Sequence, residues 1–171
     1  MITAIIETRN NEMGLAHTLA ALVPAATEGV VRQVVVIDHG SSDGTLTVAD
    51  AAGCIIIEAS KAAGDPRIRA AEASRGDWLL FLSPIAQLKP GWQGEAMAFI
   101  DRALVTGAAQ SRVAYVRRGG ITRGWWATVR ALASKSDGRL IAKTAYLAAT
   151  SPSSSPLSAA SSVSGARRGA A

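Results

Sequence analysis

Apolar and polar residues alternate along the first two-thirds of the chain in blocks whose spacing indicates strands and helices in turn. Four apolar runs predict buried strands over residues 2–7, 30–37, 54–57 and 77–82, and residues 113–116 allow a fifth. Between the runs lie segments with apolar residues at helical spacing. Because strands alternate with short helices, we predict an α/β fold with a mostly parallel sheet and helices on both faces.

Caps and helix breakers place the helices between these strands. Asn10 and Asn11 can cap the first helix, and Pro24 is expected to end it. Asp65-Pro66 supplies an N-cap and a proline at the first helical position, and this helix is expected to stop at Gly76. Two further helices are predicted over 45–52, closed by Gly53, and over 92–104. The buried face of the first helix is predicted to carry Leu15, Leu19, Leu22 and Val23.

The pattern weakens in the last third of the chain. Residues 124–133 allow an amphipathic helix, and residues 138–149 are apolar without a clear period. From Thr150 onward the sequence is rich in Ser, Ala and Pro with almost nothing to bury, which predicts disorder. We therefore predict a folded domain over 1–149 and a disordered tail over 150–171.

Charge divides the chain in a similar place. Residues 1–101 carry seven Lys/Arg and twelve Asp/Glu, whereas residues 102–171 carry eleven Lys/Arg and one acid, Asp137. A basic C-terminal part could attract phosphates, nucleic acid or an anionic membrane surface, or form a solvated basic face and tail. Residues 112–130 combine arginines with Trp125-Trp126. For them we prefer a core or subunit-contact helix to peripheral membrane contact, and we do not expect nucleic-acid binding.

Cysteine content and the N-terminus bear on compartment. Cys54 is the single cysteine, so it cannot form a disulfide framework, and it is expected to be a small buried hydrophobe. The N-terminus lacks the features of a signal peptide, and no run of 18 apolar residues predicts a transmembrane helix. We expect a cytoplasmic protein, with peripheral contact at the inner face of the membrane as a possible addition.

The polar loop that follows the second predicted strand carries the main candidate chemistry. In an open parallel sheet, ligands bind at the carboxyl ends of the strands. Asp38 at this position could accept hydrogen bonds from a nucleobase, and Gly40 would allow close backbone approach. Ser41, Ser42 and Asp43 can cap the next helix. From local chemistry alone, a capped turn without a ligand is equally compatible.

Three segments together resemble family 2 glycosyltransferases of the GT-A fold, a Rossmann-like arrangement. Asp38-His39-Gly40-Ser41-Ser42-Asp43-Gly44-Thr45 resembles the family's second strand and loop, and Glu7-Thr8-Arg9-Asn10 resembles its first-strand ending. Residues 75–82 resemble the strand that leads into its metal-binding motif. The resemblance covers residues 2 to about 104 well. It is thin at 138–147, which looks like the acceptor-side strand.

The resemblance implies a nucleoside diphosphate sugar, of the UDP type, as the ligand. Asp38 would bind the base. Arg9 stands where the family has an aromatic residue that stacks on the base, and a guanidinium can stack on a base as well. Arg67 and Arg69 would lie near the diphosphate, or on an exposed helix face. The implied nucleotide-binding residues are Thr8, Arg9, Asp38, His39, Gly40 and Arg67.

Two departures from the family pattern concern catalysis. The family holds Mg²⁺ or Mn²⁺ with Asp-x-Asp after the fourth strand, where this chain has Ser83-Pro84-Ile85, so we predict no metal site and no cofactor. The carboxylate base of the C-terminal third is also missing, as in a truncated enzyme. We therefore expect a family 2 glycosyltransferase-like protein, transferring a sugar to an unknown acceptor, with impaired activity. The alternative is a non-catalytic nucleotide-sugar-binding or scaffold domain.

Overall fold

The computed structural model describes residues 1–107, 113–117, 120–122 and 138–150. Within these residues the chain forms seven strands and five α-helices, with one short 3-10 helix at Ala59–Lys61. The strands are β1 Ile2–Thr8, β2 Val31–Asp38, β3 Ile55–Glu58, β4 Trp78–Leu82, β5 Val113–Arg117, β6 Gly120–Thr122 and β7 Gly138–Ala142. The helices are α1 Glu12–Thr27, α2 Thr45–Ala51, α3 Pro66–Ala73, α4 Trp92–Val105 and α5 Lys143–Thr150.

The described strands form a single sheet in the order β3-β2-β1-β4-β7-β5-β6. β1 to β4 pair in parallel with one another, whereas β7 pairs antiparallel with β4 and with β5. The parallel half confirms the predicted βαβ organisation, and the other half makes the sheet mixed. The carboxyl ends of β1, β2 and β4 lie side by side at one edge of this sheet.

Apolar side chains on both faces of the sheet make two cores. In β1, Ile2, Ala4 and Ile6 pack on the face covered by α1 and α4, and Ile5 packs on the face covered by α3 and α5. This alternation follows from the two-residue period of a strand, and full burial on both faces explains why β1 is apolar almost throughout. The prediction of an α/β fold with helices on both faces is confirmed.

The end of α1 differs from the prediction. Pro24 lies inside the helix, which continues to Thr27. The stop is Gly29, whose φ of 73° is the left-handed conformation common after a helix. Val23 was wrongly placed on the buried face, since its side chain is 59% exposed. Leu15, Thr18, Leu22 and Ala25 form that face.

Two other predicted boundaries also move. α3 ends at Ala73, three residues before Gly76. Gly76 instead lies against the start of β1, where an added Cβ would come within 2.7 Å of the Thr3 nitrogen. The ambiguous apolar segment divides into β7 and α5, so it contains both a strand and a helix.

The described residues test some predictions only in part and others not at all. Cys54 is half-buried and packs against the core, and burial raises the pKa of its thiol. The predicted helix over 124–133 lies outside the described residues, as does the predicted disordered tail of 150–171 apart from Thr150, which is the last residue of α5. The division of the chain at residue 149 stays a prediction.

Candidate functional site

The loops after β1 and β2 start side by side at the carboxyl edge of the sheet. The strand register pairs Thr8 with Asp38, and the backbone N–H of His39 donates to the Thr8 carbonyl at 3.0 Å. Side chains from residues 7 to 11 and 38 to 45 are thereby brought together, as expected from the parallel sheet.

Asp38 is the buried support of the second loop. Its side chain is 2% exposed, and Oδ2 accepts hydrogen bonds from the backbone N–H groups of Gly40 and Ser41, both at 3.0 Å. Oδ1 accepts a hydrogen bond from the Ser41 hydroxyl. Gly40 turns the chain with a φ of 86°. A carboxylate at the tip of a buried strand requires such partners, and here its own loop provides them.

Asn10 joins the first loop to the second. Its Oδ1 accepts a hydrogen bond from the Ser42 N–H at 2.7 Å, and its own N–H donates to the Ser41 hydroxyl at 2.9 Å. The residue has a φ of 46°, a left-handed conformation that asparagine tolerates better than most residues. The two loops therefore behave as one hydrogen-bonded unit.

Asp43 makes the second link between these loops. Its Oδ2 accepts from the Glu12 N–H at the start of α1, while Oδ1 accepts from the N–H and hydroxyl of Thr45. The Thr45 hydroxyl also accepts a hydrogen bond from the Asn11 N–H at 3.0 Å. Above all, the hydrogen bond from the Thr45 hydroxyl lowers the pKa of Asp43 below its usual value.

An ionic cluster of Glu7, His39 and Arg67 lies at the carboxyl edge of the sheet, on the side where α3 packs. Glu7 accepts two hydrogen bonds from the Arg67 guanidinium, at Nε and at Nη2, and its Oε2 lies 3.2 Å from Nε2 of His39. The hydrogen bonds with Glu7 are the main cause that raises the pKa of Arg67. Arg67 is thus held by a protein carboxylate, which a phosphate contact of the predicted kind would have to share or replace. Glu7 was missed as a site residue, although an acid ending a buried strand is an unusual signal.

The remaining predicted residues have different environments. Thr8 is buried, and its Oγ1 has no hydrogen-bond partner among the described residues. Arg9 is exposed at the rim of the first loop, and Arg69 is exposed on α3. The structure therefore brings together Glu7 and His39 as partly exposed polar groups, with Arg9 beside them in sequence.

The segment at the family's metal position does not fit a divalent ion. Ser83 and Ile85 follow β4, and the Pro84 carbonyl accepts a hydrogen bond from the Thr18 hydroxyl of α1 at 2.9 Å. Mg²⁺ and Mn²⁺ require several oxygen ligands, usually carboxylates, and Ile85 presents a 61% exposed alkyl side chain here. In the described part of the chain, no three His, Cys, Asp or Glu residues cluster in a way that could hold a metal ion.

Two further observations concern the molecular surface. A pocket of about 240 Å³ between α1 and the segment before α4 is lined by residues including Pro24, Leu88 and Trp92, and by none of the predicted nucleotide-binding residues. Among the described helices, none combines the length and hydrophobicity needed to cross a bilayer.

The sequence matches the family model of glycosyl transferase family 2 over residues 3–147. No curated protein sequence matches the chain.

Solved structures share its fold at low identity. A mannosyl-3-phosphoglycerate synthase from Rubrobacter xylanophilus is 18% identical with a TM-score of 0.56, over 84% of this chain and 54% of that one. A glucosyl-3-phosphoglycerate synthase from Mycobacterium tuberculosis, in complex with Mg²⁺ and UDP, is 20% identical with a TM-score of 0.55, over 84% and 57%. The same enzyme with Mn²⁺, UDP-glucose and phosphoglyceric acid is 18% identical with a TM-score of 0.54, again over 84% and 57%. The match thus spans little more than half the length of these enzymes.

Proposed function

The chain belongs to glycosyl transferase family 2, and we propose that it binds a nucleoside diphosphate sugar of the UDP type at the carboxyl edge of β1 and β2. The observation that carries this proposal is the hydrogen-bonded unit formed by the loops that follow these two strands. Such a unit holds its backbone and side chains in place before a ligand arrives, which reduces the entropy cost of binding. The glucosyl-3-phosphoglycerate synthase from M. tuberculosis was solved with UDP and with UDP-glucose, which supports a ligand of this class.

Within this site we propose that His39 and Glu7 contact the base, while Asp38 shapes the loop. The Asp38 carboxylate is buried and accepts hydrogen bonds from its own loop, whereas the side chains of His39 and Glu7 are 41% and 27% exposed. Uracil presents one N–H donor and two carbonyl acceptors, which a carboxylate and an imidazole can complement. Arg9, exposed beside them, can stack on the base.

We propose further that sugar transfer by this chain is weak or absent. The residues at the family's metal position cannot supply the carboxylates that hold a divalent ion against a diphosphate. The acceptor-side segment from β7 through α5 contains no Asp or Glu, so it offers no carboxylate base to an acceptor hydroxyl. The same observations favour the second candidate, a non-catalytic nucleotide-sugar-binding or scaffold domain.

Calorimetric titration tests the proposed binding. UDP and UDP-glucose would be titrated into the parent protein and into the His39→Ala and Arg102→Gln variants. We expect binding to the parent, weaker binding to His39→Ala, and unchanged binding to Arg102→Gln, whose exposed side chain lies on α4. Failure of the folded parent to bind either ligand would contradict the proposal. Release of UDP from UDP-glucose, measured on the same samples, separates the weak enzyme from the non-catalytic domain.

Peripheral membrane contact stays a prediction for residues 112–130, most of which lie outside the described part of the chain. Its test is sedimentation of the protein with anionic and with neutral vesicles. Co-sedimentation with anionic vesicles alone is the outcome that the basic residues predict.

A further inference from the structure

Arg139 of β7 lies against two aromatic rings on the α3–α5 face of the sheet. Its guanidinium carbon is 5.2 Å from the centre of the Phe81 ring and 5.6 Å from that of Tyr146. The two rings are 4.9 Å apart and tilted by 45°. Cation–π contacts of this kind attract the guanidinium to the faces of the rings and restrict its position.

The position of Arg139 connects it to the proposed nucleotide site. It pairs with Phe81 in the β4–β7 register, and β4 lies between β7 and β1, the strand that contains Glu7. Two strand spacings amount to about 10 Å, so β7 lies about 10 Å from β1 across the sheet. Burial is the main cause that raises the pKa of Tyr146, and Asp65, Arg139, Arg67 and Glu7 also lie within electrostatic reach of its hydroxyl.

The cations around Arg139 have protein partners. Arg67 is paired with Glu7, and Lys143 donates to the backbone carbonyls of Glu72 and Ser74 at 3.1 and 2.7 Å, which caps the end of α3. Among the described residues, no carboxylate forms an ion pair with Arg139. A guanidinium carries five N–H donors, and stacking on rings uses none of them.

We propose that Arg139 binds a phosphate group at the carboxyl edge of the sheet, on its α3–α5 face. This inference rests on the proposed function. A guanidinium that lies over two rings keeps its N–H donors, and it can bind a phosphate with two parallel hydrogen bonds. The phosphate has two chemical sources, the diphosphate of the nucleotide donor or a phosphate ester on the acceptor. Because the segment after β4 has no carboxylates to hold a divalent ion, such a cation would offset part of the phosphate charge.

Phosphate and nucleoside probes separate this inference from the proposed function. Uridine, UDP and glycerol 3-phosphate would be titrated separately into the parent, Arg139→Gln and Arg102→Gln proteins at one ionic strength. Arg102→Gln removes the same charge from an exposed position on α4. Uridine reports the base site alone, and its failure to bind the parent would count against the proposed function and not against Arg139.

We expect Arg139→Gln to weaken one phosphate probe about tenfold to a hundredfold, the size of a lost charged hydrogen-bond pair, while uridine binding stays unchanged. Loss confined to UDP assigns Arg139 to the donor, and loss confined to glycerol 3-phosphate assigns it to the acceptor. Equal phosphate affinities for Arg139→Gln and parent, or no phosphate binding to the parent, would overturn the inference.

A second variant keeps the test decisive if Arg139→Gln does not fold. Arg139→Lys retains the charge but loses the planar fork and most of the ring stacking. We expect it to bind the same phosphate probe with an intermediate affinity, and parent-like affinity would show that the stacked geometry has no role.

Discussion

Two adjacent residues at the end of β2 have opposite environments. Asp38 is buried and accepts hydrogen bonds from two backbone N–H groups and one hydroxyl, whereas His39 is partly exposed and contacts Glu7. The buried carboxylate of Asp38 stabilises the loop, whereas the partly exposed side chain of His39 is available to a ligand. Their substitutions should therefore affect different properties.

Asp38→Ala should lower stability. It leaves the N–H groups of Gly40 and Ser41 without their acceptor, which costs about 1–3 kcal/mol of unfolding free energy. Urea denaturation of the parent, Asp38→Ala and Asp38→Asn measures the loss. Asp38→Asn keeps one acceptor oxygen and should lose less, so an equal loss in both variants would contradict the role of the hydrogen bonds.

His39→Ala should instead change ligand affinity. One hydrogen bond of about 1–1.5 kcal/mol corresponds to UDP binding that is about fivefold to tenfold weaker. The unfolding free energy should stay within about 0.5 kcal/mol of the parent, as is usual at exposed positions. A stable variant with unchanged UDP affinity would remove His39 from the nucleotide site.

Asp43 should contribute a pH-dependent part of the stability. Its pKa is lowered from the ordinary value of 3.8, chiefly by the Thr45 hydroxyl, so the contribution is present above pH 3.8 and is lost as the pH falls through the lower folded pKa. Thermal melts of the parent and Asp43→Asn between pH 7 and pH 2 measure it. We expect the difference between their melting temperatures to shrink as the pH falls below 3.8. A constant difference would contradict the assignment.

At the scale of secondary-structure elements, α1 packs closely on the segment that replaces the metal motif. A Cβ added at Gly14 would clash with the Asn11 side chain and approach the Pro84 carbonyl to 2.9 Å and the Ile85 side chain to 2.8 Å. The glycine thus allows Asn11 to cap α1 while the segment after β4 lies against it.

Gly14→Ala should therefore destabilise the protein although alanine favours helices. We expect a loss of about 1–3 kcal/mol from overpacking, measured by urea denaturation. Gly94→Ala in α4 is the matched control, because no atom lies within 4 Å of its added Cβ. That variant should gain up to about 1 kcal/mol from helix propensity. A stabilised Gly14→Ala variant would contradict the close packing of α1 on this segment.

The elements differ in how far the sequence could predict them. The first four strands were found because each apolar run is bounded by turn residues, and Asp65-Pro66 did begin α3. The prediction that Pro24 ends α1 is wrong, because the helix continues past the proline to Thr27 and stops before Gly29, which has a positive φ. The position of β7 between β4 and β5 depends on pairing between residues far apart in sequence, which local periodicity does not encode.

The candidate site shows the same division between local and distant contacts. The loop that begins at Asp38 could be predicted because its turn residues are consecutive. The pairing of Glu7 with Arg67 joins residues 60 positions apart, so it depends on where α3 packs relative to β1. That pairing places Arg67 in an ion pair within the protein, and its predicted phosphate contact stays a prediction.

At the scale of the whole molecule, the loops after β1 and β2 form the proposed nucleotide site, while Ser83-Pro84-Ile85 at the family's metal position offers no carboxylate. Phosphate charge would have to be met by arginines; Arg67 is paired with Glu7, whereas Arg139 forms no ion pair with a carboxylate among the described residues. Nucleotide affinity should then be independent of divalent metal, in contrast to a site built on two carboxylates.

Placing acids at positions 83 and 85, where the family has Asp-x-Asp, should make nucleotide affinity depend on divalent metal. In Ser83→Asp/Ile85→Asp, two carboxylates follow β4, and we expect Mn²⁺ to strengthen UDP binding about tenfold or more through the bridged diphosphate. Titration of UDP with Mn²⁺ and with chelator measures the difference. The double variant Ser83→Asn/Ile85→Asn controls for polarity, and metal dependence in both variants or in neither would contradict the role given to this position.

The proposal that the protein binds UDP without a divalent metal is tested by a thermal melt of the parent protein with and without UDP, in Mn²⁺ and in chelator. A ligand at about a hundredfold excess over its Kd stabilises the folded state by about 2.7 kcal/mol. We expect UDP to raise the melting temperature equally in both conditions, because the proposed nucleotide site has no carboxylates after β4 to hold a divalent ion. No shift in either condition, or a shift that requires Mn²⁺, would contradict the claim.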